Sequence, residues 1–204
     1  MKNSNNSWTR RQADDPYVKR RKKDGLRSRA VFKLEELNRR DNFLRRGSNV
    51  IDLGSSPGGW SESVSKVVGR KGKILAIDAR AMNQIDEVTF VKGDCGDKKV
   101  MAQANKIFGP RSVDLVLSDL APNITGIRLV DEAAWTSLIL MAKEYVTTFL
   151  KPGGNFVAKF FQFEDTEVII SDLRRQFSVV SRRKPASSRK ESREFFIVAK
   201  DFRV

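Results

Sequence analysis

The segment at residues 50–60, which reads VIDLGSSPGGW, constrains the fold of this chain most. A short apolar run ends in Asp52 and a glycine-rich turn, and a stretch with helical spacing follows at 60–68. This order of strand, glycine turn and helix begins a doubly wound α/β domain, in which ligands bind beyond the carboxyl ends of the strands. Glycines in such a turn allow positive φ and a close approach to a ligand. The segment therefore predicts an α/β fold with a binding site at this turn.

The turn differs from the dinucleotide-binding pattern G-x-G-x-x-G at one position. Ser56 replaces the second glycine, which in that pattern lets the backbone approach a pyrophosphate. A dinucleotide is therefore disfavoured. A nucleoside without a pyrophosphate fits better, and S-adenosylmethionine (SAM) is the common one. A tight structural turn without any ligand is the alternative at this point.

Three further apolar runs also end in carboxylates. The runs that begin at residues 73, 88 and 113 end in Asp78, Asp94 and Asp119. Because the carboxyl ends of parallel strands meet at one edge of a sheet, we expect the three acids to share one rim. Asp78 is placed to accept hydrogen bonds from both hydroxyls of a ribose, and Asp94 is placed to meet an adenine edge.

Two lysines lie in apolar surroundings. Lys33 lies beside the apolar stripe of a helix expected at 28–37, with Ser28 as its N-cap. Lys159 interrupts a strand expected at 155–161, whose other residues are typical of a strand buried on both faces. A buried lysine needs a partner or a function, because desolvating its charge is costly. From position alone, Lys33 is interpreted as a solvated lysine.

The remaining elements complete one α/β domain. A long helix is expected at 129–150 and is ended by the sequence KPGG at 151–154. A helix at 164–176, a strand at 177–180, a Ser- and Lys/Arg-rich loop at 185–193 and a strand at 193–199 follow. Glu194 begins that last strand. We expect residues 1–18 to form a flexible basic tail and residues 19–204 to form a single domain.

The composition excludes several classes of site. The chain has no histidine and one cysteine, so His-based triads, His-ligated metals, internal disulfides and cysteine-rich zinc sites are excluded, and no metal is expected. No apolar run approaches the ~20 residues of a membrane span. The N-terminus lacks an apolar signal core, so we expect a cytoplasmic protein without a membrane partner.

The net charge of +14 is concentrated at the two ends of the sequence. Residues 1–46 hold 15 Lys and Arg against 6 Asp and Glu, and residues 172–204 hold 10 against 4. The intervening residues hold 14 against 15. A neutral body with two basic ends is typical of a protein that binds a polyanion such as RNA.

The chain resembles the FtsJ/RrmJ family of ribosomal RNA large-subunit (uridine-2′-O-)-methyltransferases. The resemblance covers about residues 17–199 and depends on four motifs in the family's order: RSRA at 27–30, DLG-x-x-PGGW at 52–60, SD-x-APN at 118–123 and SRE at 192–194. It implies a Rossmann-like SAM-dependent methyltransferase fold. Such a fold has a seven-stranded, mostly parallel sheet with helices on both faces and an antiparallel last strand.

The resemblance also implies the residues of the site. The family's catalytic tetrad matches Lys33, Asp119, Lys159 and Glu194. Its SAM contacts match Gly58, Trp60, Asp78, Asp94 and Asp119. One departure is the sequence ARAM at 79–82, where bacterial members usually carry more apolar residues, and this affects the fit around the adenosine. The implied partner is ribosomal RNA within the large subunit, and the implied protein is a monomer.

Methyl transfer to a ribose requires a base in this site. A 2′-hydroxyl is a poor nucleophile, so a base must take its proton, and without histidine that base is a lysine or a carboxylate. We expect Lys159, which is buried near a second lysine and a sulfonium, to become neutral more readily than an ordinary lysine and to accept the proton. Asp119 and Glu194 oppose this change but orient the reacting groups, and Lys33 steers the substrate and stabilises developing charge.

Other functions fit the same residues less well. Methylation at C5 of a pyrimidine needs a cysteine nucleophile, whereas Cys95 lies in the segment assigned to the adenosine. Methylation of a base amine usually needs an aromatic residue after a proline-rich turn, and the segment at 119–123 has none. An NAD-dependent oxidoreductase would need the missing glycine. A transfer-RNA ribose methyltransferase and an inactive RNA-binding module on the same scaffold are the alternatives that remain.

Overall fold

The computed structural model describes residues 16–188 and 192–203, and the first residues of the segment 50–60 form an inner strand of a single sheet. The helices, in chain order, are α1 (Pro16–Lys23), α2 (Ala30–Asp41), α3 (Gly59–Val68), α4 (Lys98–Phe108), α5 (Arg128–Phe149) and α6 (Thr166–Gln176). A 3₁₀ turn at Gly69–Lys71 follows α3. The strands are β1 (Val50–Leu53), β2 (Ile74–Asp78), β3 (Val88–Lys92), β4 (Val113–Ser118), β5 (Leu150–Phe161), β6 (Phe177–Arg183) and β7 (Glu194–Phe202).

The seven strands are arranged in the order β3-β2-β1-β4-β5-β7-β6. Strands β1 to β5 pair in parallel, whereas β7 lies between β5 and β6 and is antiparallel to both. This confirms the predicted mostly parallel sheet with an antiparallel last strand. The chain reverses its direction of winding between β1 and β4, and in sheets of this kind ligands bind at that point.

Helices cover both faces of the sheet, and each face has its own apolar core. One core contains residues of α4, α5 and α6, including Ala104, Trp135 and Leu173. The other contains residues of α2 and α3, including Leu37 and Val64. Because side chains alternate along a strand, each buried strand contributes to both cores.

Several element bounds differ from the sequence predictions. Helix α2 begins at Ala30, and its N-cap is Arg29 rather than Ser28, although the Ser28 hydroxyl accepts a hydrogen bond from the Ala30 amide at 3.1 Å. Strand β5 begins at Leu150, so the KPGG sequence belongs to the strand instead of separating it from α5. Helix α4 was not predicted. Strand β6 extends to Arg183 and β7 to Phe202, beyond their predicted ends.

The basic run near the N-terminus is helical. Helix α1 begins at Pro16, inside the stretch assigned to the tail, and packs against α2 through a contact between the rings of Tyr17 and Phe32 at 5.5 Å. The guanidinium of Arg20 lies 4.8 Å from the centroid of the Phe32 ring. The prediction of a flexible tail otherwise concerns residues 1–15, which lie outside the described residues.

Among the helices of residues 16–188 and 192–203, none is both long enough and apolar enough to cross a membrane.

Candidate active site

A cavity of about 550 Å³ lies at the carboxyl ends of the parallel strands. Each of these strands contributes a lining residue at or near its carboxyl end: Gly54, Asp78, Asp94, Asp119 and Lys159. Helix α5 adds the apolar side chains of Leu138 and Met141. The structure therefore brings the three predicted SAM-binding acids and the predicted proton acceptor to one cavity.

Two glycines in the left-handed region shape the turn between β1 and α3. Gly54 has φ of 76° and Gly58 has φ of 101°. A Cβ atom on Gly54 would lie 2.8 Å from Leu120 Cδ2, and one on Gly58 would lie 2.8 Å from both Ile85 Cδ1 and Met82 Sδ. A larger residue at either position would strain the backbone and displace a neighbouring segment of the site.

The carboxylate of Asp78 links the glycine turn to the end of β2. Asp78 Oδ2 accepts a hydrogen bond from the Ser56 amide at 2.9 Å, and Oδ1 accepts one from the Arg80 amide at 2.7 Å. The side chain is nearly buried, but it still lines the cavity. Each carboxylate oxygen has two lone pairs, so Asp78 can hold the turn and also accept hydrogen bonds from a ligand.

Gly58 and Trp60 do not line this cavity. The Trp60 ring is buried against Phe196, with ring centroids 5.8 Å apart, and its Nε1 donates a hydrogen bond to the Ala30 carbonyl at 2.8 Å. Trp60 instead borders a small recess of about 20 Å³, together with Asp119. In this structure Trp60 fixes α3 to α2, and the absence of a side chain at Gly58 lets the loop that contains Met82 and Ile85 lie close to the turn.

The predicted tetrad forms two lysine–carboxylate pairs. In the first pair, Lys159 Nζ lies 2.7 Å from Asp119 Oδ1 and donates a hydrogen bond to the Asp119 carbonyl at 3.0 Å. Both residues are largely buried. Contacts to two oxygens of one residue fix the lysine side chain at the edge of the cavity.

In the second pair, Lys33 Nζ contacts Glu194 Oε1 in a short ion pair. Lys33 is buried, contrary to its interpretation as a solvated lysine, and its Nζ also lies 5.6 Å from the centroid of the Phe196 ring. Burial raises the pKa of Glu194, but the positive charges of Lys33 and Lys159 outweigh that effect, so the pKa is lowered overall. Glu194 is therefore a carboxylate at neutral pH.

The strand register explains why the two pairs lie on the same face of the sheet. Leu117 and Val157 are paired on β4 and β5, and both belong to the core that contains α2 and α3. Asp119 and Lys159 lie two residues further along each strand and therefore project to the same face. Lys159 is paired with Phe196 on β7, and Glu194, two residues away, also lies on that face. Helix α2 covers the face and supplies Lys33.

A buried acid beneath the turn was not assigned a role from the sequence. Asp52 is fully buried, and its Oδ2 accepts a hydrogen bond from the Ser61 hydroxyl at 2.6 Å. Within the part of the chain that the structure describes, Oδ1 has no hydrogen-bond partner. Burial raises the pKa of Asp52 to about 7; the Ser61 hydrogen bond opposes this, and the negative charges of Asp119 and Asp78 add to it.

Arg27 is a second residue whose role the sequence did not reveal. Its guanidinium donates hydrogen bonds to the carbonyls of Asn83 at 2.9 Å and Gln84 at 2.8 Å. These contacts fasten the loop after β2 to the segment between α1 and α2. That loop includes Ala79 and Arg80, which line the cavity. The RSRA motif marked the position of Arg27, but only the fold shows what it holds.

The lining has the chemistry needed to hold SAM. Its volume is within the range of small-molecule sites, and its carboxylates can accept hydrogen bonds from hydroxyl and amine groups. Leu120, Leu138 and Met141 provide apolar surface for an adenine ring. Among the described residues, no group of Cys, Asp and Glu is arranged to bind a metal ion.

Comparisons with known proteins agree with this geometry. The model of the family described as FtsJ-like methyltransferase matches residues 26–202. The chain is 45% identical over 205 residues to ribosomal RNA large subunit methyltransferase E of Stutzerimonas stutzeri, with 100% of each chain covered. It is 43% identical to the Marinobacter nauticus protein of the same name, and the alignment covers 98% of this chain and 97% of that protein.

A solved structure from Plasmodium falciparum, described as a ribosomal RNA methyltransferase, has a similar fold. The two sequences are 27% identical. The superposition covers 86% of this chain and 98% of the Plasmodium chain, with a TM-score of 0.76.

Proposed function

The chain belongs to the FtsJ-like methyltransferase family, and on that premise we propose that it transfers a methyl group from SAM to the 2′-hydroxyl of a uridine in large-subunit ribosomal RNA. The observation that carries the proposal is the convergence of two lysine–carboxylate pairs on one sheet face beside a carboxylate-lined cavity. The relatives' names supply the RNA class, and the 2′-hydroxyl of a uridine is what the resemblance of Lys33, Asp119, Lys159 and Glu194 to the family's catalytic tetrad implies. A hydroxyl acceptor also fits a site whose lysines and carboxylates can take its proton.

The cavity residues would divide the recognition of SAM between them. Asp78 would accept hydrogen bonds from the ribose hydroxyls, Asp94 would meet the adenine edge, and Asp119 would lie near the sulfonium. Gly58 and Trp60 would act through the backbone of the turn, because neither lines the cavity. When bound, SAM supplies a methyl group that is already activated by its positive sulfur.

Lys159 is the proton acceptor in this proposal. A neutral amine has two N–H donors and one lone pair. The Asp119 carbonyl accepts one of these donors, and the negative Asp119 Oδ1, which lies 2.7 Å from Nζ, repels a lone pair, so the lone pair of a neutral Lys159 would point away from Asp119. A 2′-hydroxyl held in that direction would give its proton to Nζ as its oxygen attacks.

Lys33 and Glu194 would position the ribose. Lys33 keeps Glu194 in its carboxylate form. Glu194 can therefore accept a hydrogen bond from a hydroxyl without taking the proton of that hydroxyl. Lys33 would stabilise the negative charge that develops on the attacking oxygen. Such preorganised charges lower a reaction barrier because they do not need to reorient during the reaction.

The basic ends of the chain would bind the phosphate backbone. Helix α1 ends in four consecutive bases, residues 20–23, and its Lys22 and Lys23 are exposed to solvent. Arg27 connects the end of this helical region to the cavity loop. We propose a monomer that acts in the cytoplasm on RNA within the large subunit, since the relatives' names refer to that subunit.

A transfer assay with three RNA substrates tests this function. The purified protein is incubated with SAM labelled in its methyl group and with large ribosomal subunits, free ribosomal RNA or transfer RNA. We expect label in ribosomal RNA, most strongly in the subunit. The labelled nucleotide should be a uridine whose 3′ phosphodiester bond resists alkaline cleavage. Label in a base or in transfer RNA would contradict the proposal. RNA binding without SAM binding, measured by calorimetry, and without transfer to any of the three RNAs would identify an inactive RNA-binding module.

A further inference from the structure

The loop between β4 and α5, together with the first turn of α5, exposes several large apolar side chains. Ile124, Ile127, Leu129 and Val130 are 61%, 62%, 78% and 48% exposed. These four residues, which we call the apolar lip, are half of the eight large apolar side chains that are exposed among the described residues. Single exposed apolar residues are ordinary, but a contiguous group indicates a binding surface.

The apolar lip is held in place by a buried carboxylate. Asp131 accepts hydrogen bonds from the Thr125 amide at 2.7 Å, the Thr125 hydroxyl at 2.8 Å and the Gly126 amide at 3.1 Å. The Ile127 amide in turn donates to the Thr125 hydroxyl at 3.1 Å. The hydrogen bonds from Thr125 and Gly126 lower the pKa of Asp131. These contacts fix the backbone that presents the exposed side chains.

The apolar lip begins where the cavity lining ends. Pro122 and Asn123 line the cavity that contains Lys159. The Cα atom of Ile124 lies about 3.8 Å from that of Asn123, and the Cα of Ile127 is no more than ~15 Å away along the chain. Arg128 lies between the lip residues and is paired with Glu164 only at the protein surface, at 3.7 Å. Such an exposed pair is weak, so the guanidinium can turn to a phosphate or a base.

We propose that the apolar lip receives the unpaired bases that flank the methylated ribose in the RNA substrate. This inference rests on the proposed function, because it places the reacting nucleotide in the adjoining cavity. Proteins that recognise unpaired RNA splay the bases out onto aromatic or Arg side chains, while cations contact the backbone. In the lip, Arg128 can supply the cation, and the neighbouring aliphatic side chains offer apolar surface to a base face next to the cavity that contains Lys159. Asp131 is then a positioning residue that acts through the loop.

Binding of short RNAs tests the lip without requiring catalysis. The probes are a fluorescently labelled single-stranded RNA with a central uridine and the same RNA with abasic sites on both sides of that uridine. Anisotropy gives the Kd of each probe for the wild type, for the double variant Ile124→Ala/Ile127→Ala and for the control double variant Val168→Ala/Val179→Ala, whose residues are exposed on α6 and β6.

We expect the lip variant to bind the intact probe at least about fivefold more weakly than the wild type does. Its affinity for the abasic probe should equal that of the wild type. SAM affinity should not change, and the control variant should match the wild type on both probes. Asp131→Asn should weaken binding of the intact probe in the same way but less, because an amide oxygen can accept only part of the three hydrogen bonds.

Two results would overturn the inference. In the first, the lip variant binds both probes as the wild type does. In the second, the lip variant loses affinity for both probes equally, which would mean that the lip contacts the phosphate backbone and not the bases. A change from dimer to monomer in light scattering, with unchanged RNA binding, would assign the lip to a second copy of the chain. Failure of the proposed function is distinguishable, because the wild type would then bind the probe yet transfer no methyl group to any RNA.

Discussion

The residues proposed to bind SAM, which we call the cofactor half, and those proposed to catalyse transfer, which we call the catalytic half, are positioned in different ways. Apart from Asp119, which both halves share, the polar residues of the cofactor half come from one continuous stretch of chain, from β1 to Asp94, whose parallel strands end side by side. The catalytic half is assembled from four elements. Lys33 and Glu194 are separated by 161 residues in sequence, and Asp119 and Lys159 by 40.

This difference separates two physical tasks. A local unit of strand, turn and strand is sufficient to place acceptors around a ligand, because each acid needs only to follow a strand. Proton transfer needs a fixed geometry between groups from distant elements, and the whole sheet provides it. We therefore expect changes in the cofactor half to alter affinity for SAM and changes in the catalytic half to alter rate.

The largest expected effect is that of Lys159→Arg, which should lower the rate of methyl transfer by ~10²–10⁴-fold. Arginine keeps the positive charge but does not lose its proton near neutral pH, so the base is removed while the charge remains. Affinity for SAM, measured by calorimetry, should stay near that of the wild type. The control is Lys151→Arg on the same strand, where the lysine is paired with Asp114 at 2.5 Å outside the site. Near-normal turnover of Lys159→Arg would make Asp119 the acceptor.

The second effect tests the cofactor half. Asp78→Ala should weaken SAM binding by about 1.5–3 kcal/mol, because the variant cannot form charge-assisted hydrogen bonds to the ligand or to the Ser56 and Arg80 amides. The rate at saturating SAM should change much less. Asp86→Ala, which removes an exposed acid from the following loop, is the matched control for calorimetry. An equal loss of rate at saturating SAM would show that the two halves are not separable.

The third effect concerns stability and comes from Asp52, the buried acid beneath the turn, which is repelled by Asp78 and Asp119. Its pKa is about 7 in the folded protein and near 3.8 when unfolded, so the folded state binds the additional proton between these values. Stability therefore falls as pH rises through this window and levels off above pH ~7. Asp52→Asn removes this dependence. Between pH 5 and 8 the variant should gain about 2 kcal/mol relative to the wild type in urea unfolding. A constant difference across this range would mean that Asp52 is not desolvated.

The smallest effect lies outside both halves. Lys22→Glu/Lys23→Glu should weaken RNA binding and flatten its dependence on salt, by ~0.7 in the logarithmic slope for each phosphate that the protein no longer neutralises. SAM affinity should not change. The exposed pair Arg70 and Lys71, changed to Glu in the same way, controls for net charge. Equal effects of the two double variants would show that α1 acts only through the total charge of the protein.

The sequence predicted that the three acids meet at one cavity because its signals are local, whereas their role in binding SAM stays a prediction. Asp78, Asp94 and Asp119 each follow an apolar run, and parallel strands bring such residues together without further information. Helix α4 could also have been predicted. Asp97 caps it through a hydrogen bond from the Lys99 amide at 2.8 Å, and Gly109 follows its last residue.

The catalytic half could not be derived from periodicity. Lys33 was interpreted as solvated on position alone, because nothing near it in sequence shows that β7 brings Glu194 to its ammonium. Only the resemblance to a family joined these residues. The burial of Trp60 against Phe196 was hidden for the same reason, since it depends on the pairing of β7 with β5.

The position of β7 also links the edge of the sheet to the lysine–carboxylate pairs. Among the described strands, β6 pairs only with β7, and the same strand brings Glu194 to Lys33. A change that separates β7 from β5 would therefore detach β6 and move Glu194 away from Lys33 at the same time.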